Sequence, residues 1–298
     1  MTAAIWVAGL TRRYQDQLAL DDVTFEVAPR SITGLLGRNG AGKTTLLRIM
    51  AGQEFASAGE VHVLGASPLT DESVLRRMVL VREDQSYPDI RVGQAVKVAS
   101  WFYPNWDAGL AADLLADFGL SPRRRVRRLS RGMRSALGIV IGLAARAEVT
   151  LFDEPYAGLD AVARQVFYDR LLADYAEHPR TVVLSTHLID EVAGLLERVV
   201  VIDRGRLVLD ADTDDLRGSA TNVSGPAIAV AEFTAGRPVW GRRRVASQES
   251  AVVVGQLNEA DEVRARALRL SLEPLSLQQV VVQVAGKPVA DIRERTSA

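Results

Sequence analysis

One octapeptide, residues 37–44, constrains the fold of this chain more than any other segment. It reads GRNGAGKT, a complete G-x-x-x-x-G-K-[ST] pattern. The apolar run before it predicts a strand over 31–36, and the residues after it predict a helix over 44–51. A glycine-rich loop that joins a strand to a helix turns its backbone N–H groups towards an anion at the helix N-terminus. The octapeptide therefore predicts a nucleotide-phosphate site in an α/β fold.

The composition of the chain makes the lysine of this loop informative. Lys43 is one of three lysines, whereas 33 positions are arginine. A compact ammonium group reaches between phosphate oxygens more easily than a broad, planar guanidinium. We expect the Thr44 hydroxyl to coordinate Mg²⁺ and Thr45 to bind the α-phosphate. The predicted nucleotide-binding residues of the segment are Gly37, Arg38, Asn39, Gly40, Ala41, Gly42, Lys43, Thr44 and Thr45.

A second segment supplies the acidic groups that hydrolysis of a phosphate requires. The apolar strand predicted at 149–152 ends in two adjacent carboxylates, Asp153 and Glu154. Side chains alternate along a strand, so the two carboxylates can take different roles. We expect Asp153 to hold Mg²⁺ and Glu154 to polarise the attacking water as a general base. An acidic turn after a core strand is the alternative for this pair taken alone.

Composition and charge exclude several other classes of protein. The net charge is −1, which favours no particular association with nucleic acid. Cysteine is absent, which excludes disulfides and cysteine metal sites. The first residues lack a basic and apolar secretory signal, and no apolar run is long enough to span a bilayer. A role at a membrane would therefore be exerted from outside the bilayer.

Five motifs in a fixed order resemble those of the ATP-binding cassette (ABC) family, over about residues 4–212. After the phosphate loop come a segment similar to the LSGGQ signature, the Asp-Glu pair, a segment similar to the D-loop and one similar to the switch histidine. The segments that follow the phosphate loop are LSRGM at 129–133, Asp153-Glu154, PYAGLD at 155–160 and Thr186-His187. The resemblance implies an α/β phosphate-loop NTPase core with an antiparallel β subdomain and a helical insert.

The resemblance and the patterning together predict the domain organisation. We expect an ABC ATPase domain at 1–212 with a helical subdomain at about 90–146. A linker is predicted at 213–226, where glycine and serine are frequent, and a small C-terminal α+β domain at 227–298. In this appendage we predict strands at 228–233 and 251–254, a charged helix near 259–268 and an amphipathic segment at 277–284.

Further site residues follow from the resemblance alone. His187 would hydrogen-bond the γ-phosphate of ATP, and Tyr14 would stack on adenine. Ser130, Gly132 and Asp160 would act in trans, on the nucleotide held by a second subunit. Packing is the alternative for Tyr14, and capping or core packing is the alternative for His187.

Two segments depart from the family pattern. The signature carries Arg131 where the family has Gly and Met133 where it has Gln. We still expect hydrolysis, because Ser130 and Gly132 remain. The loop that normally offers Gln to Mg²⁺ reads Arg-Glu-Asp-Gln here, so Glu83 is the better candidate by spacing and Gln85 is the alternative.

Two composition clusters remain open to more than one interpretation. Seven arginines crowd residues 123–134, where they indicate a solvated or phosphate-facing surface, a membrane contact or a nucleic-acid contact. The aromatic cluster at 101–106 lies where ABC ATPases dock a helix of their permease, and packing within the helical subdomain is its alternative.

The resemblance implies a Mg²⁺-dependent ATPase that powers a separate transmembrane permease from the cytoplasmic face of the cell membrane. Two copies, or this chain with a homologue, would bind two ATP molecules between them. Export is favoured, because a single cassette with a short appendage resembles bacterial exporter-type subunits. The alternative is a soluble ABC ATPase acting on ribosomes or DNA. That class carries two cassettes or long coiled coils, which this sequence lacks, so we expect no nucleic-acid partner.

Overall fold

The computed structural model describes residues 3–285, which fall into two compact units. The first unit contains the residues up to Leu188 together with Leu195–Asp210. The second contains Ile189–Gly194 and the chain from Ala211 onward. All residues predicted to bind or hydrolyse nucleotide lie in the first unit.

The first unit contains both strands and helices. Its strands are β1 (Ile5–Tyr14), β2 (Gln17–Val27), β3 (Ile32–Leu36), β4 (Ala58–Val63), β5 (Met78–Arg82), β6 (Val149–Asp153), β7 (Thr181–Thr186), β8 (Arg198–Asp203) and β9 (Arg206–Asp212). Its helices are α1 (Lys43–Met50), α2 (Glu72–Leu75), α3 (Val92–Ala99), α4 (Ala108–Asp117), a 3-10 helix (Val126–Arg128), α5 (Arg131–Ala144) and α6 (Ala161–Glu177).

A six-stranded sheet in the order β5-β6-β7-β3-β8-β9 forms the centre of this unit. The strands from β5 to β8 run parallel to their neighbours. Strands β3, β6 and β7 are buried at every residue, which explains why apolar residues are frequent in them without the alternation of a half-exposed strand. Parallel strands end at one edge of a sheet, so the segments that follow β3, β6 and β7 meet there.

A smaller antiparallel sheet in the order β2-β1-β4 shares a core with the first helix. Helix α1 buries Leu46, Leu47, Ile49 and Met50 in that core. Burying each of these side chains stabilises the fold by about 1.5–3 kcal/mol. The packing holds the N-terminus of α1, and hence the octapeptide, against both sheets.

The helical subdomain contains α3, α4 and α5. Helix α5 approaches the large sheet closely at Gly142, where an added Cβ would lie 2.5 Å from Cγ2 of Val81 and 3.0 Å from Cε1 of Phe152. At the other end of α5, the first turn with the signature-like residues lies beside the segment that follows β6, where Gly132 packs against Gly158. No helix between residues 3 and 285 is long and apolar enough to cross a membrane.

The second unit is built around a four-stranded antiparallel sheet. Its elements are α7 (Ile189–Val192), α8 (Thr213–Leu216), β10 (Ala220–Pro226), α9 (Ala227–Phe233), β11 (Val239–Val245), β12 (Gln248–Val254), α10 (Glu259–Ala267), β13 (Ser271–Pro274) and α11 (Leu277–Ala285). The sheet order is β11-β12-β10-β13, and β10 to β13 with α9 and α10 form a βαββαβ unit. Val223, Phe233 and Val253 lie in its core.

Two predictions for this region are wrong. The predicted linker at 213–226 forms α8 and β10 instead, because Ala220 and Val223 are buried by pairing and packing. The predicted strand at 228–233 is helical, since Ala227, Val230 and Phe233 bury one helical face. Short apolar runs fit either structure, and here the core decides. Residues 1–2 and 286–298 of the predicted domains lie outside the described residues.

Candidate nucleotide site

The octapeptide forms a tight loop between β3 and α1. Gly37 has φ +154°, and a Cβ there would lie 2.2 Å from the carbonyl oxygen of Ile202. Gly42 has φ +108°, and a Cβ there would lie 2.6 Å from the carbonyl oxygen of Ala19. Both positions therefore require glycine, for the backbone angle and for the space.

A cavity of about 380 Å³ opens at this loop. It collects residues from the carboxyl ends of the parallel strands and from the antiparallel sheet. The lining residues are Tyr14, Gln17, Ala19, Asn39, Gly40, Ala41, Gly42, Lys43, Thr44, Thr45, Glu83, Asp153 and Glu154. Gly37 and Arg38 are not in this lining, but their carbonyl groups accept hydrogen bonds from Lys43, which is. The structure thus brings most of the residues predicted from the sequence into one cavity.

Lys43 connects the loop with the acidic segment. Its side chain is 5% exposed. The ammonium Nζ donates to the carbonyl oxygens of Gly37, at 2.8 Å, and Arg38, at 3.2 Å. It also lies 3.4 Å from Oε1 of Glu154. A cation is therefore held at the inner wall of the cavity, where the phosphates of a nucleotide would lie.

Glu154 lies between Lys43 and His187. Its Oε2 is 2.9 Å from Nδ1 of His187, while Oε1 faces Lys43. The residue follows β6 with φ +46°, in the left-handed region that is unfavourable for glutamate. Its backbone N–H donates to the carbonyl oxygen of Ser185 at 3.2 Å, which holds this turn against the end of β7. The turn brings Glu154 and His187 together, although they are 33 positions apart in the chain.

Asp153 and Thr44 provide an oxygen set suited to Mg²⁺. Burial raises the pKa of the Asp153 carboxyl, and the Thr44 hydroxyl and the Lys43 charge counteract part of that increase. Carboxylate and hydroxyl oxygens are hard ligands of the kind that Mg²⁺ prefers. Within residues 3–285 no group of three or more His, Asp or Glu side chains forms a metal cluster. In nucleotide sites Mg²⁺ is typically bound by one or two protein groups together with substrate phosphates and waters.

The two candidates for the remaining Mg²⁺ contact occupy different places. Glu83 lines the cavity. Gln85 lies outside the cavity lining, and its Oε1 accepts from the backbone N–H of Arg82 at 3.4 Å. The geometry therefore favours Glu83 over Gln85.

Tyr14 lines the cavity at the end of β1. The guanidinium of Arg12 lies 4.5 Å from the centre of its ring, and its hydroxyl donates to Glu54. Two neighbours thus hold the ring in place at the mouth of the cavity.

The residues predicted to act in trans lie elsewhere in the described chain. Ser130 and Asp160 are N-caps, accepting from the N–H groups of Met133 at 3.2 Å and Ala163 at 2.8 Å. Gly132 packs so tightly that an added Cβ would lie 2.2 Å from the carbonyl oxygen of Gly158. These three residues do not line the cavity of their own chain.

Tyr156 is a residue that the sequence reasoning missed. Its buried hydroxyl hydrogen-bonds Thr186 and accepts from the backbone N–H of His187 at 3.3 Å. Its ring lies edge-on to that of His187, 6.2 Å between centres. The only signal in the sequence is that Tyr156 lies within the D-loop-like segment, close to Glu154.

The sequence of this chain is similar to those of known ATP-binding proteins. Residues 20–157 match the family model described as ABC transporter. The chain is 35% identical over 213 residues to "Phosphonates import ATP-binding protein PhnC 1" of Natronomonas pharaonis, covering 68% of this chain and 91% of the relative. It is 27% identical over 308 residues to "Nod factor export ATP-binding protein I" of Mesorhizobium japonicum, covering 97% of this chain and 89% of the relative.

The fold of this chain is similar to that of a solved structure titled "Structure of ATP binding subunit of ABC transporter". The TM-score is 0.64 and the sequence identity is 25%, and the match covers 72% of this chain and 92% of that structure. The predicted fold class, with its α/β core, is confirmed.

Proposed function

Because this chain belongs to the ATP-binding proteins of ABC transporters, we propose that it hydrolyses ATP to power a separate transmembrane permease. One observation carries the proposal. The Glu154 carboxylate lies 3.4 Å from Lys43 and 2.9 Å from His187, at the edge of a cavity bounded by a phosphate-binding loop. A carboxylate beside a phosphate-binding lysine is placed to accept a proton from an attacking water.

The loop, Tyr14 and Glu154 line the cavity, and His187 contacts Glu154 from outside the lining; each has a role in the proposed reaction. Lys43 neutralises the phosphates, and the loop N–H groups bind their oxygens. Glu154 accepts the proton of a water that attacks the γ-phosphorus, while the bond between that phosphorus and the β–γ bridging oxygen breaks and ADP leaves. His187 orients Glu154 through its Nδ1 and binds the γ-phosphate. Tyr14 stacks on the base.

Mg²⁺ would be held by Thr44, Asp153 and Glu83. When bound, the ion supplies electrostatic stabilisation of the negative charge on the phosphate oxygens. The protein's own contribution is to present all three of these residues in the lining of one cavity.

The proposed active form is a dimer of ATP-binding subunits, either two copies or this chain with a homologue. Ser130 and Gly132 stand at the N-terminus of α5, where the helix dipole favours an anion. Asp160 caps α6 in the segment that follows Glu154. In the proposal all three act on the nucleotide of the other subunit.

The helical subdomain offers a surface for the proposed permease. Trp101 and Phe102, just after α3, are 70% and 63% exposed. Exposed aromatic side chains are typical of protein interfaces. We place the subunit on the cytoplasmic face of the membrane through this contact. Export is the proposed direction, supported by the relative that spans 97% of the chain and whose name specifies export, although another relative's name specifies import.

Two variants test the proposed function. Glu154→Gln removes the base, so phosphate release should fall about 10²–10⁴-fold while ATP still binds. Lys43→Ala should abolish ATP binding, measured by calorimetry. Glu177→Gln, at the exposed end of α6, serves as the control and should behave like the wild type. Full nucleotide affinity in Lys43→Ala would contradict the site.

A further inference from the structure

Two positions at which the sequence departs from the family pattern pair with each other in the structure. Arg131 is the first residue of α5, and its guanidinium donates to Oε1 of Glu83. Glu83 lines the nucleotide cavity, and its backbone N–H donates to the carbonyl oxygen of Asp153 at 3.2 Å. An ion pair therefore connects the start of α5 with the edge of the candidate Mg²⁺ site.

The stem of Arg131 passes close to Gly158, in the segment that follows Glu154. A Cβ at Gly158 would lie 3.1 Å from Cγ and 3.4 Å from Cδ of Arg131. Gly158 also has φ +79°, a conformation that favours glycine. The absence of a side chain at 158 thus gives Arg131 room for its path to Glu83.

Other arginines of the same segment have different partners. Arg125 and Arg127 each lie 3.3 Å from Oδ2 of Asp89, which is not part of the cavity lining. The Arg131–Glu83 pair is partly open to solvent, with side-chain exposures of 66% and 37%. A pair with this exposure is weak enough to exchange when another cation offers itself to the carboxylate.

We propose that Arg131 is a positioning residue that competes with Mg²⁺ for the Glu83 carboxylate. This inference rests on the proposed nucleotide function. While Arg131 holds Glu83, one oxygen of the carboxylate is engaged and its charge is neutralised, so Glu83 is a poorer ligand for a divalent cation. When Glu83 turns to the metal, Arg131 is released.

The competition has a consequence at the other end of the pair. Coupling between two binding events is reciprocal. Binding of Mg²⁺ at Glu83 therefore weakens the Arg131–Glu83 pair by the same factor by which that pair weakens the binding of Mg²⁺. Arg131 precedes Gly132 and follows Ser130, the residues proposed to meet the nucleotide of the other subunit. Metal-bound nucleotide in one site thereby frees a positive charge for the second site.

The test is the effect of Mg²⁺ on the affinity for a non-hydrolysable ATP analogue. Calorimetry gives the dissociation constant of the analogue in excess EDTA and in excess Mg²⁺. The measured quantity is the constant in EDTA divided by the constant in Mg²⁺, so a larger ratio means that Mg²⁺ strengthens binding more. Arg131→Gln should increase this ratio about two- to five-fold, which corresponds to the loss of an exposed ion pair. Arg131→Lys, which keeps the charge, should stay near the wild-type ratio.

Glu83 provides the second arm of the experiment. Glu83→Gln should decrease the ratio, and adding Arg131→Gln to it should have no further effect, because the competition is already absent. Arg123→Gln is the matched control, since Arg123 is an exposed arginine of the same segment and the substitution should leave the ratio unchanged.

Three results would overturn the proposal. Arg131→Gln could weaken nucleotide binding equally with and without Mg²⁺, which would indicate simple attraction of phosphate. It could lower the unfolding temperature and leave the ratio unchanged, which would indicate a structural role. The double variant could also show additive effects. Failure of the nucleotide site itself would look different, because the wild type would not bind the analogue or Lys43→Ala would bind it equally well.

Discussion

At the scale of single residues, the orientation of Glu154 depends on contacts that hold its neighbours. Glu154 Oε2 is fixed by Nδ1 of His187, and His187 follows directly after β7. Tyr156 binds the backbone N–H of His187 and the side chain of Thr186. A buried hydroxyl thus supports the histidine that supports the proposed base.

Tyr156→Phe removes this hydroxyl while keeping the ring. A hydrogen bond contributes about 0.5–1.5 kcal/mol. We expect this loss to raise the activation free energy of ATP hydrolysis by the same amount, which lowers the rate about two- to twelve-fold. ATP affinity should be nearly unchanged, because Tyr156 does not line the cavity. Steady-state phosphate release and calorimetry measure the two quantities.

Tyr175→Phe provides the comparison. Its hydroxyl oxygen lies 2.7 Å from the carbonyl oxygen of Arg30 and 2.8 Å from Oε1 of Glu197, and its one proton is donated to one of these two acceptors, in a region that does not line the cavity. We expect a loss of stability and an unchanged rate per folded molecule. Equal effects of the two substitutions on turnover would argue against a positioning role for Tyr156.

At the scale of elements, the first turn of α5 is fixed to the segment between β6 and α6. The Ser135 hydroxyl donates to the carbonyl oxygen of Ala157 at 2.6 Å. Gly132 lies against the backbone of Gly158, with no space for a side chain. The signature-like turn and the D-loop-like segment therefore pack as one piece.

Gly132→Ala should displace the first turn of α5 from the segment between β6 and α6. The added Cβ would lie 2.2 Å from a carbonyl oxygen, so the backbone must shift at a cost of about 1–3 kcal/mol. The unfolding temperature should fall by at least about 2 °C, measured by thermal denaturation. Gly194→Ala, where a Cβ meets nothing within 4 Å, is the control and should leave the temperature nearly unchanged. An unchanged unfolding temperature for Gly132→Ala would show that the turn tolerates displacement.

At the scale of the whole molecule, the cavity of one chain contains only part of the proposed catalytic set. The loop, Asp153 and Glu154 line it, whereas Ser130, Gly132 and Asp160 lie outside. If those residues act on nucleotide, a second subunit must present them. The proposed reaction therefore depends on association.

Glu154→Gln should reveal this association by retaining ATP. The variant should elute as a monomer without nucleotide and as a dimer with ATP, measured by gel filtration with light scattering. Adding Lys43→Ala should abolish the dimer, because nucleotide no longer binds. A Glu154→Gln variant that binds ATP and stays monomeric would contradict the shared site.

The sequence alone predicted the local segments of the candidate site. The loop at 37–44 and the Asp153-Glu154 pair are short contiguous segments, and their order and spacing predict a phosphate site at strand ends. The order of these motifs also predicted the α/β core. Contiguous segments can be read in this way because backbone geometry and neighbouring side chains determine them.

Contacts between residues that are distant in the chain came from the tertiary structure. In the structure Glu83 lines the cavity and Gln85 does not, and Glu83 pairs with Arg131. Tyr156 contacts the backbone N–H of His187. The tertiary structure also made residues 228–233 helical and the expected linker part of a sheet. In each case several local arrangements were open to the sequence, and the choice among them came from burial in a core or from contact with a side chain far along the chain.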